Sequence, residues 1–456
     1  MTTTFVFIGV LGIFAISYLI MGLLVSHHGN NSSGYFLAGR NLSLSMVTFT
    51  LIATQLGGGM LLGTSQEAYR VGIAGIMYTL GICLGLLILG LGIAAKLQSL
   101  GVSTTAELFT TRYGSPALTK IASLLSITTL CGILIAQIVA SKSVFASVGL
   151  DGHIAFILFW AFIIISTVLG GLEAVVLSDF FQVIYIIVIF GGIVAWGIIT
   201  NPQSFWSIFS FHAPQTISTP VSSYNWVGII LMPALFCLIE QDLAQRFFAA
   251  RTQKVAIWAA LLASLGLFLF ALVPVYLGIQ AHFLPVQLAL NASPLIPVIK
   301  LLTNDIVVAL SLFGILAAIT STADSLLCAI SSNIAQDFNL LGASRAVSRA
   351  QLITLITGVI VFGISFLVPS SVIGILIGSY ELSVCCMLIP LLVAYARPSI
   401  TSLAAYGACI GGLIGFVAFK IYPIALPREV ASLVLSGAGF LIGLALDALV
   451  LKTRRN

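Results

Sequence analysis

Residues 314–325 read GILAAITSTADS and place the hydroxyls of Ser321 and Thr322 and the carboxylate of Asp324 within an otherwise apolar stretch. The surrounding stretch is long enough to cross a membrane as a helix. An ionised carboxylate in hydrocarbon costs about 2.5–3.5 kcal/mol on insertion scales, so such residues usually face a protein interior or a water-filled path. The segment therefore predicts a membrane helix that carries half of a cation site.

The composition of the whole chain indicates a membrane protein. Of its 456 residues, 60% are hydrophobic and only 7% are charged, and the mean hydropathy is +1.18. Soluble domains contain about 25% charged residues. Apolar stretches recur along the chain, each long enough to cross about 30 Å of hydrocarbon. We expect an all-α polytopic membrane protein.

The apolar stretches predict about thirteen transmembrane helices. No long polar linker divides them, so residues 1–456 are expected to form a single transmembrane domain. The first span lacks a basic n-region and a clear cleavage site, which favours a retained helix over a signal peptide. The predicted spans are 4–25, 43–64, 72–96, 117–148, 153–172, 178–200, 224–245, 254–281, 300–336, 349–368, 371–396, 400–420 and 430–451.

The distribution of Lys and Arg predicts the orientation, because the cytoplasmic side retains them. An odd number of spans places the termini on opposite sides. With the N-terminus outside and the C-terminus in the cytoplasm, thirteen of the eighteen Lys and Arg face inward. The inward set is Arg40, Lys96, Arg112, Lys120, Arg246, Arg251, Lys254, Arg345, Arg349, Arg397, Lys452, Arg454 and Arg455. We expect a plasma membrane location, with the short loops typical of the bacterial inner membrane.

The charge, the cysteines and the histidines indicate no nucleic-acid surface, redox centre or organic cofactor. The net charge of +5 follows from the cytoplasmic excess of Lys and Arg, and contact with lipid headgroups accounts for it. The cysteines lie in apolar spans and are expected to be small buried residues. These are Cys83, Cys131, Cys237, Cys328, Cys385, Cys386 and Cys409. The histidines lie at span ends or in loops, at His27, His28, His153, His212 and His282.

Two spans contain residues that favour an interrupted helix. Gly57, Gly58 and Gly59 lie in the second span, and Pro233 lies in the seventh, five helices later. Consecutive glycines lower helix stability by about 1 kcal/mol each relative to alanine. Close helix packing through small residues is the competing interpretation of the glycines. Interruptions at matching positions of two halves point to an inverted-repeat transporter with its site near the middle of the membrane.

Five motifs resemble those of the solute:sodium symporters, which include sodium/proline, sodium/pantothenate, sodium/sialic acid and sodium/glucose carriers. Four of them are YFLAGR at 35–40, LIATQL at 51–56, TTAELFTTRYG at 104–114 and GGLEAVVLSDFFQ at 170–182. The fifth, Gln241 with Gln245 and Arg246, is similar to a D-Q-x-x-x-Q-R element, although Glu240 stands where Asp is usual. The motifs occur in the family's order over nearly the full chain.

The resemblance implies a five-plus-five inverted repeat with a leucine-transporter-type core and discontinuous second and seventh helices. The first repeat would cover residues 43–200 and the second residues 224–396. The helices at 4–25 and 400–451 would then be peripheral.

The resemblance also implies a sodium site, whose residues are the carbonyls of Ala53, Leu56 and Ala318 and the hydroxyls of Ser321 and Thr322. Ala318, Ser321 and Thr322 lie at i, i+3 and i+4 and share one helix face. Sodium is a hard ion that binds oxygen, and neutral ligands keep its binding reversible. The competing interpretation is that both hydroxyls bond back to carbonyls one turn earlier.

Asp179 and Asp324 suggest a further cation or proton site. Some family members bind a second sodium between a sixth-helix Asp and the face occupied here by Ser321, Asp324 and Ser325. Two carboxylates that share a pocket would either hold a cation or share a proton. A second sodium site, a proton-sensitive path and a structural ion pair all stay open.

The substrate pocket is expected beside the broken second helix and in the helices facing it. The galactose and proline signatures of the family are absent, because Met60 and Thr79 replace the sugar-binding pair and Gln55 and Gly59 replace the proline-binding pair. Backbone N–H groups at a half-helix N-terminus favour a carboxylate-bearing substrate. Glu381 is a candidate partner for a proton or a substrate amine. The pocket residues are Thr54, Gln55, Gly57, Gly58, Gly59, Met60, Thr79 and Glu381.

The expected function is uptake of a small organic solute by sodium-coupled symport and alternating access. The partners would be the solute, sodium and the lipid bilayer, with no obligate protein partner evident. Proton coupling is the main alternative, because fold does not determine the coupling ion. A transporter-like sensor is disfavoured because only residues 452–456 follow the last span. The usual hydrolase and protease motifs are absent, so an enzyme is not expected.

Overall fold

In the computed structural model, the named secondary-structure elements of the described residues are all helices. The structure describes residues 2–26, 32–150, 152–211, 223–286, 288, 292–342, 346–368, 372–422 and 426–455. His27, His28, His212 and Arg345, named above, lie outside these ranges. The α-helices are α1 Thr2–Ser26, α2 Ser32–Leu37, α3 Leu44–Gln55, α4 Thr64–Val71, α5 Met77–Ile88, α6 Ala94–Ser99, α7 Glu107–Tyr113, α8 Pro116–Ser147, α9 His153–Thr200, α10 Gln203–Ser210, α11 Ser223–Cys237, α12 Gln241–Ala249, α13 Gln253–Gln280, α14 Leu295–Leu302, α15 Asp305–Ser332, α16 Ala346–Ile364, α17 Val372–Ala396, α18 Ser402–Ile421 and α19 Arg428–Arg455.

The described residues contain ten helical stretches that are long and apolar enough to cross a membrane, and shorter apolar helices at Thr2–Tyr18 and Leu44–Gln55. The all-α polytopic prediction is confirmed, while the count of thirteen spans stays a prediction. The predicted spans 153–172 and 178–200 form one element, α9, which bends at Gly171 with φ 57° and ψ −160°. A Cβ at Gly171 would lie 2.7 Å from the Tyr35 carbonyl oxygen, so both conformation and packing require glycine there.

The second helix is interrupted at the predicted glycines. Helix α3 ends at Gln55, and a wide helical turn resumes at Gly59–Gly63 before α4. A Cβ at Gly57 would lie 2.7 Å from both Gln137 Oε1 and Thr322 Oγ1, so the interruption is also a point of close packing. Unwinding and close packing, which the sequence presents as alternatives, therefore occur at the same residues.

The seventh helix is interrupted too, but the position predicted at Pro233 is wrong. Pro233 lies inside α11, and the helix stops only after Cys237, with Glu240 in an extended conformation. The Tyr395 hydroxyl donates to the Leu238 carbonyl at 3.0 Å. The break therefore lies where the Tyr395 hydroxyl of α17 bonds to a carbonyl that the helix leaves free. It does not lie at Pro233, where proline removes a backbone N–H donor.

Helix α15 lies at the centre of the molecule, packed against α1, α3, α8, α9 and α16. Its N-terminus is capped by Asn304, whose side chain accepts from the Val307 N–H at 3.0 Å. Every residue from Ser311 to Ser332 is buried, so the helix is surrounded by protein on all sides. This burial lets polar side chains lie deep in the membrane-spanning part of the chain.

Helices α18 and α19 pack on each other through glycines and contact the rest mainly through α17, with smaller contacts from α18 to α7 and α8. A Cβ at Gly407 would lie 2.1 Å from the Gly439 carbonyl oxygen, the close approach typical of small-residue packing in membranes. Helix α1 is less peripheral than expected. It packs against both α9 and α15, and its Tyr18 is buried.

Candidate functional site

The interrupted second helix meets α15 in a cluster of oxygen atoms. Ser321 Oγ lies 3.1 Å from the Ala53 carbonyl oxygen and 3.0 Å from that of Ala318. Thr322 Oγ1 lies 3.3 Å from the Ala53 carbonyl oxygen and 3.2 Å from that of Ala318. Leu56 contacts this cluster through its N–H, which donates to the Ala53 carbonyl at 3.2 Å. The structure therefore brings together four of the predicted sodium ligands, the oxygens of Ala53, Ala318, Ser321 and Thr322, while the role of the Leu56 carbonyl stays a prediction.

The cluster contains more acceptors than donors. Each hydroxyl has one proton and faces two carbonyl oxygens, so the proton can serve only one of them at a time. Ser321 is fully buried and Thr322 is 5% exposed. Back-bonding to Ala318, the competing interpretation of these hydroxyls, does occur, but the same oxygens also face Ala53 on α3. Four neutral oxygens that converge in this way suit a hard monovalent cation.

The residues predicted for a further cation site are divided between two clusters. Thr50 Oγ1 donates to Asp179 Oδ2 at 2.5 Å, and Arg246 Nη2 lies 4.0 Å from the same oxygen. Arg246 also donates to Ser325 Oγ through Nη2 and to Thr50 Oγ1 through Nε at 3.1 Å. The guanidinium thus lies between Asp179 and Ser325.

Asp324 faces a different set of donors. The Tyr18 hydroxyl and Thr167 Oγ1, the latter at 2.5 Å, donate to its carboxylate. Ser178 Oγ in turn donates to the Tyr18 hydroxyl at 3.1 Å. Asp179 and Asp324 therefore have separate hydrogen-bond partners. Helix α1, which was expected to be peripheral, supplies one partner of Asp324.

Arg246 corrects the sequence analysis, which counted it among the cytoplasmic cations. Its side chain is fully buried and its three donor groups contact buried oxygens. Because guanidinium is permanently charged and offers donors in several directions, one arginine can organise carboxylate, hydroxyl and carbonyl groups together. Because Arg246 directly follows the predicted span 224–245, where an arginine usually marks the membrane boundary, the local sequence carried little signal of its burial.

A buried cavity lies next to the oxygen cluster. In this conformation its free volume is about 20 Å³, room for about one water molecule. Thr54, Gln55, Gly57, Gly59 and Met60, all predicted for the substrate pocket, line it. The other lining residues are Tyr78, Ile133, Gln137, Glu240, Asp242, Thr322, Leu326, Leu376 and Tyr380.

Three predicted pocket residues lie outside this lining. The Gly58 N–H donates to Gln137 Oε1 at 2.8 Å. The Thr79 hydroxyl lies 3.2 Å from that of Thr64. Glu381, which was expected to flank the cavity, instead forms an ion pair with Arg428 of α19 at 2.8 Å.

The sequence analysis missed the acidic end of the cavity, formed by Glu240 and Asp242 at the interrupted seventh helix. Glu240 Oε2 accepts from Gln55 Nε2 at 3.2 Å, which ties the two interrupted helices together. Asp242 Oδ1 accepts from the Leu243 N–H at 2.9 Å. Glu240 was considered only as a substituted motif position, and a second carboxylate two residues later in an apolar span was the available signal.

Comparison with known proteins identifies the family and the fold. A model of the Sodium:solute symporter family matches residues 35–415. The human High affinity choline transporter 1 is 25% identical over 390 residues, or 77% of this chain and 65% of that protein. The chain therefore spans slightly less than two thirds of the length of this relative.

Two solved structures have similar folds. A Na⁺-coupled sialic acid symporter in a substrate-bound outward-open state has a TM-score of 0.74 at 17% identity, with 97% of each chain covered. A nucleobase-cation-symport-1 family transporter in a closed conformation has a TM-score of 0.65 at 12% identity, with 93% of this chain and 96% of that chain covered. Both have the leucine-transporter-type fold. With motifs, helices and family model in agreement, this chain belongs to the Sodium:solute symporter family of multi-pass membrane transporters, which are not enzymes.

Proposed function

We propose that this protein takes up a small polar organic solute together with sodium by alternating access. The observation that carries the proposal is the convergence of the Ser321 and Thr322 hydroxyls on the Ala53 and Ala318 carbonyls. These oxygens join the end of a broken helix to the central helix α15. Sodium bound there would hold the two elements together beside the substrate cavity.

The cavity supports coupling because Thr322 belongs both to the oxygen cluster and to the cavity lining. Thr322 Oγ1 is part of the oxygen cluster, and its side chain lines the cavity. An ion that orders Thr322 and the end of α3 also orders the cavity wall. Since coupling free energy is reciprocal, bound solute would raise sodium affinity by the factor by which sodium raises solute affinity.

The proposed cycle requires the cavity walls to move. Free space of about 20 Å³ holds no organic solute, so α17, which contributes Leu376 and Tyr380, would have to separate from the broken second helix. The second and seventh helices are both interrupted, near the start of the proposed halves 43–200 and 224–396, which supports a five-plus-five repeat as the moving units. The N-out, C-in orientation and the bacterial inner membrane remain part of this proposal.

One sodium per cycle is the stoichiometry that Arg246 supports. Its guanidinium contacts Ser325 and lies 4.0 Å from Asp179 Oδ2, so a permanent positive charge already lies between two residues of the predicted second site. A second cation there would face like-charge repulsion at short range. Reversal potentials measured across sodium gradients would give a 1:1 ratio with a neutral solute, and a 2:1 ratio would contradict this assignment.

Proton coupling is the second candidate, and the buried carboxyl group of Asp324 is the observation that favours it. Asp324 is fully buried among the hydroxyls of Tyr18 and Thr167. These donors are neutral, so Asp324 has no cationic partner among its hydrogen-bond donors and could carry a proton. Uptake driven by a proton gradient in sodium-free proteoliposomes would establish this alternative.

The carboxylate-bearing substrate of the sequence analysis stays a prediction with a weaker basis. It rests on free N–H groups at the broken second helix, and the Gly58 N–H is already bonded to Gln137. Two carboxyl groups, Glu240 and Asp242, line the same cavity. The proposal is therefore limited to a small polar organic solute.

Thermal unfolding of the purified protein in NaCl and in KCl, at equal ionic strength and pH, tests the sodium site. A ligand that binds only the folded state raises the melting temperature as its concentration rises. We expect a saturable increase in NaCl that KCl does not reproduce. Equal melting temperatures in the two salts across the whole titration would contradict sodium binding and direct attention to Asp324.

A further inference from the structure

We infer that the solute carries a protonated amine, which binds at the acidic end of the cavity between Asp242 and Glu240. This inference rests on the proposed transport function and names the chemical class of its substrate. The motif D-Q-x-x-x-Q-R specifies an acid at the position of Glu240 but leaves the position of Asp242 open. Asp242 places a second acid two residues after Glu240.

Asp242 has an unused acceptor. Its side chain is 1% exposed, and only Oδ1 accepts a backbone hydrogen bond, from Leu243. Within the described part of the chain, Asp242 Oδ2 has no hydrogen-bond partner. A buried acceptor without a donor costs about 1–3 kcal/mol, and more when it is charged. A ligand that supplies an N–H donor would remove this penalty.

The acidic end has no salt-bridge partner among the described residues, although Arg246 lies near enough for its charge to act on both carboxyl groups. No ion pair among the described residues involves Glu240 or Asp242. Arg246 is the nearest candidate, but its Nη1 donates to the main-chain carbonyl of Asp242 at 2.7 Å and its other groups contact Thr50 and Ser325. Two carboxyl groups in one cavity favour a ligand of positive charge over a neutral or anionic one.

The wall next to the carboxyl groups is aromatic. Tyr78 and Tyr380 both line the cavity, and their hydroxyls are 2.8 Å apart. Phe236 stacks on Tyr380 with ring centroids 4.6 Å apart, which holds that ring in place. Aromatic rings attract ammonium groups through their electron-rich faces. The wall therefore adds to the preference for an organic cation.

The free acceptor on Asp242 distinguishes two kinds of organic cation. A quaternary ammonium group has charge but no N–H, so it would leave Oδ2 without a donor. A protonated primary or secondary amine supplies both the positive charge and an N–H donor. The sequence analysis considered Glu381 as an amine partner, but Glu381 is paired with Arg428 outside the cavity. The structure assigns that role to Asp242 and Glu240.

Matched sets of probe molecules test this inference on the purified full chain. Each set keeps one carbon skeleton and varies the end group among primary amine, trimethylammonium, alcohol and carboxylate. The skeletons are the hydroxyethyl, butyl and benzyl groups; the first set is 2-aminoethanol, choline, ethane-1,2-diol and glycolate. Melting temperature in NaCl is recorded against the concentration of each probe. We expect the amine of at least one set to give the largest increase.

Variants assign the effect to the carboxyl group. Asp242→Asn should weaken amine binding about tenfold or more, because it removes a buried partner of a charged group. Glu381→Gln, a buried carboxyl group outside the cavity, is the matched control and should leave amine binding unchanged. A sodium-dependent rise in melting temperature shows that a variant is folded. If Asp242→Asn lacks that shift, Glu240→Gln is measured in its place, with a loss of amine affinity expected.

The outcomes separate the two proposals. A sodium shift with no response to any amine, or with the alcohol, carboxylate or trimethylammonium member binding most tightly, overturns the amine inference and leaves sodium symport standing. Undiminished amine binding in a folded Asp242→Asn variant also overturns it. Absence of a sodium shift in the wild-type protein overturns the proposed function, whatever the amines do.

Discussion

The two interrupted helices present opposite chemistry to the same cavity. At the end of α3 the Ala53 carbonyl meets neutral hydroxyls from α15, and no ionisable side chain contributes to that cluster in the described residues. At the end of α11, Glu240 and Asp242 bring two carboxyl groups into the cavity lining. Gln55 joins the two ends through its hydrogen bond to Glu240.

If both proposals hold, this difference in chemistry would let one cavity bind two different cations at separate places. Neutral oxygens at close spacing select a small hard ion and release it readily, because no full charge holds it. Carboxyl groups next to aromatic rings are suited to a larger and softer cation, an ammonium group. Each helix break therefore frees backbone polar groups. The side chains next to the break determine which ligand the site suits.

Removing both hydroxyls of the neutral cluster should have the largest effect. Each ligand to a charged group is worth about 1.5–3 kcal/mol, so Ser321→Ala/Thr322→Ala should weaken sodium binding at least about 100-fold. Sodium titration of the melting temperature measures this. Ser331→Ala is the matched control, since Ser331 is fully buried in α15 and, within the described residues, its hydroxyl bonds to the Leu327 carbonyl of the same helix. Unchanged sodium affinity in the double variant would contradict a sodium site at the neutral cluster, and with it the comparison of the two helix breaks.

Substitution of Arg246 tests the comparison further, because this residue supplies the positive charge next to the neutral cluster. Arg246→Gln leaves Asp179 buried without its cation and should lower stability by about 3–5 kcal/mol. Adding Asp179→Asn removes the unpaired charge and should restore much of that loss. Denaturant unfolding in a fixed detergent gives the three values. Additive losses in the double variant would mean that the two side chains do not interact.

The glycine at the neutral break should tolerate no side chain. Gly57→Ala places a Cβ 2.7 Å from Gln137 Oε1 and Thr322 Oγ1, and overpacking of this kind costs about 1–3 kcal/mol. Sodium affinity should fall with stability, since Thr322 is displaced. Gly191→Ala in α9 meets no atom within 4 Å and serves as control, with a gain of about 0.4–1 kcal/mol expected. Melting curves of both variants in NaCl and KCl check the contrast.

The smallest effect is expected from the acid that lies outside the cavity. Glu381→Gln breaks the ion pair with Arg428, whose side chain is 43% exposed, so the remaining cation stays solvated and the loss of stability should be about 1 kcal/mol. Solute uptake and sodium dependence should therefore be close to those of the wild type. If a folded Glu381→Gln variant lost uptake, Glu381 would be needed for transport. The distinction between acids in the cavity and acids outside it would then fail.

Much of the fold followed from local sequence. Apolar length alone predicted an all-α polytopic chain, because backbone groups in hydrocarbon must bond within their own segment. The i, i+3, i+4 spacing of Ala318, Ser321 and Thr322 placed three oxygens on one face before any partner was known. Three consecutive glycines marked the break after Gln55, since the weakness of glycine in a helix is a local property.

Only the tertiary structure decided what those elements meet. Arg246 counted as a cytoplasmic cation in the sequence, and its burial between Asp179 and Ser325 depends on residues 67 and 79 positions away, on other helices. Asp324 bonds to Tyr18, 306 residues earlier, and the break after Cys237 lies where Tyr395 supplies a donor. Helix formation follows from neighbouring residues, whereas the partners of a buried charge are set by how helices distant in the chain pack together.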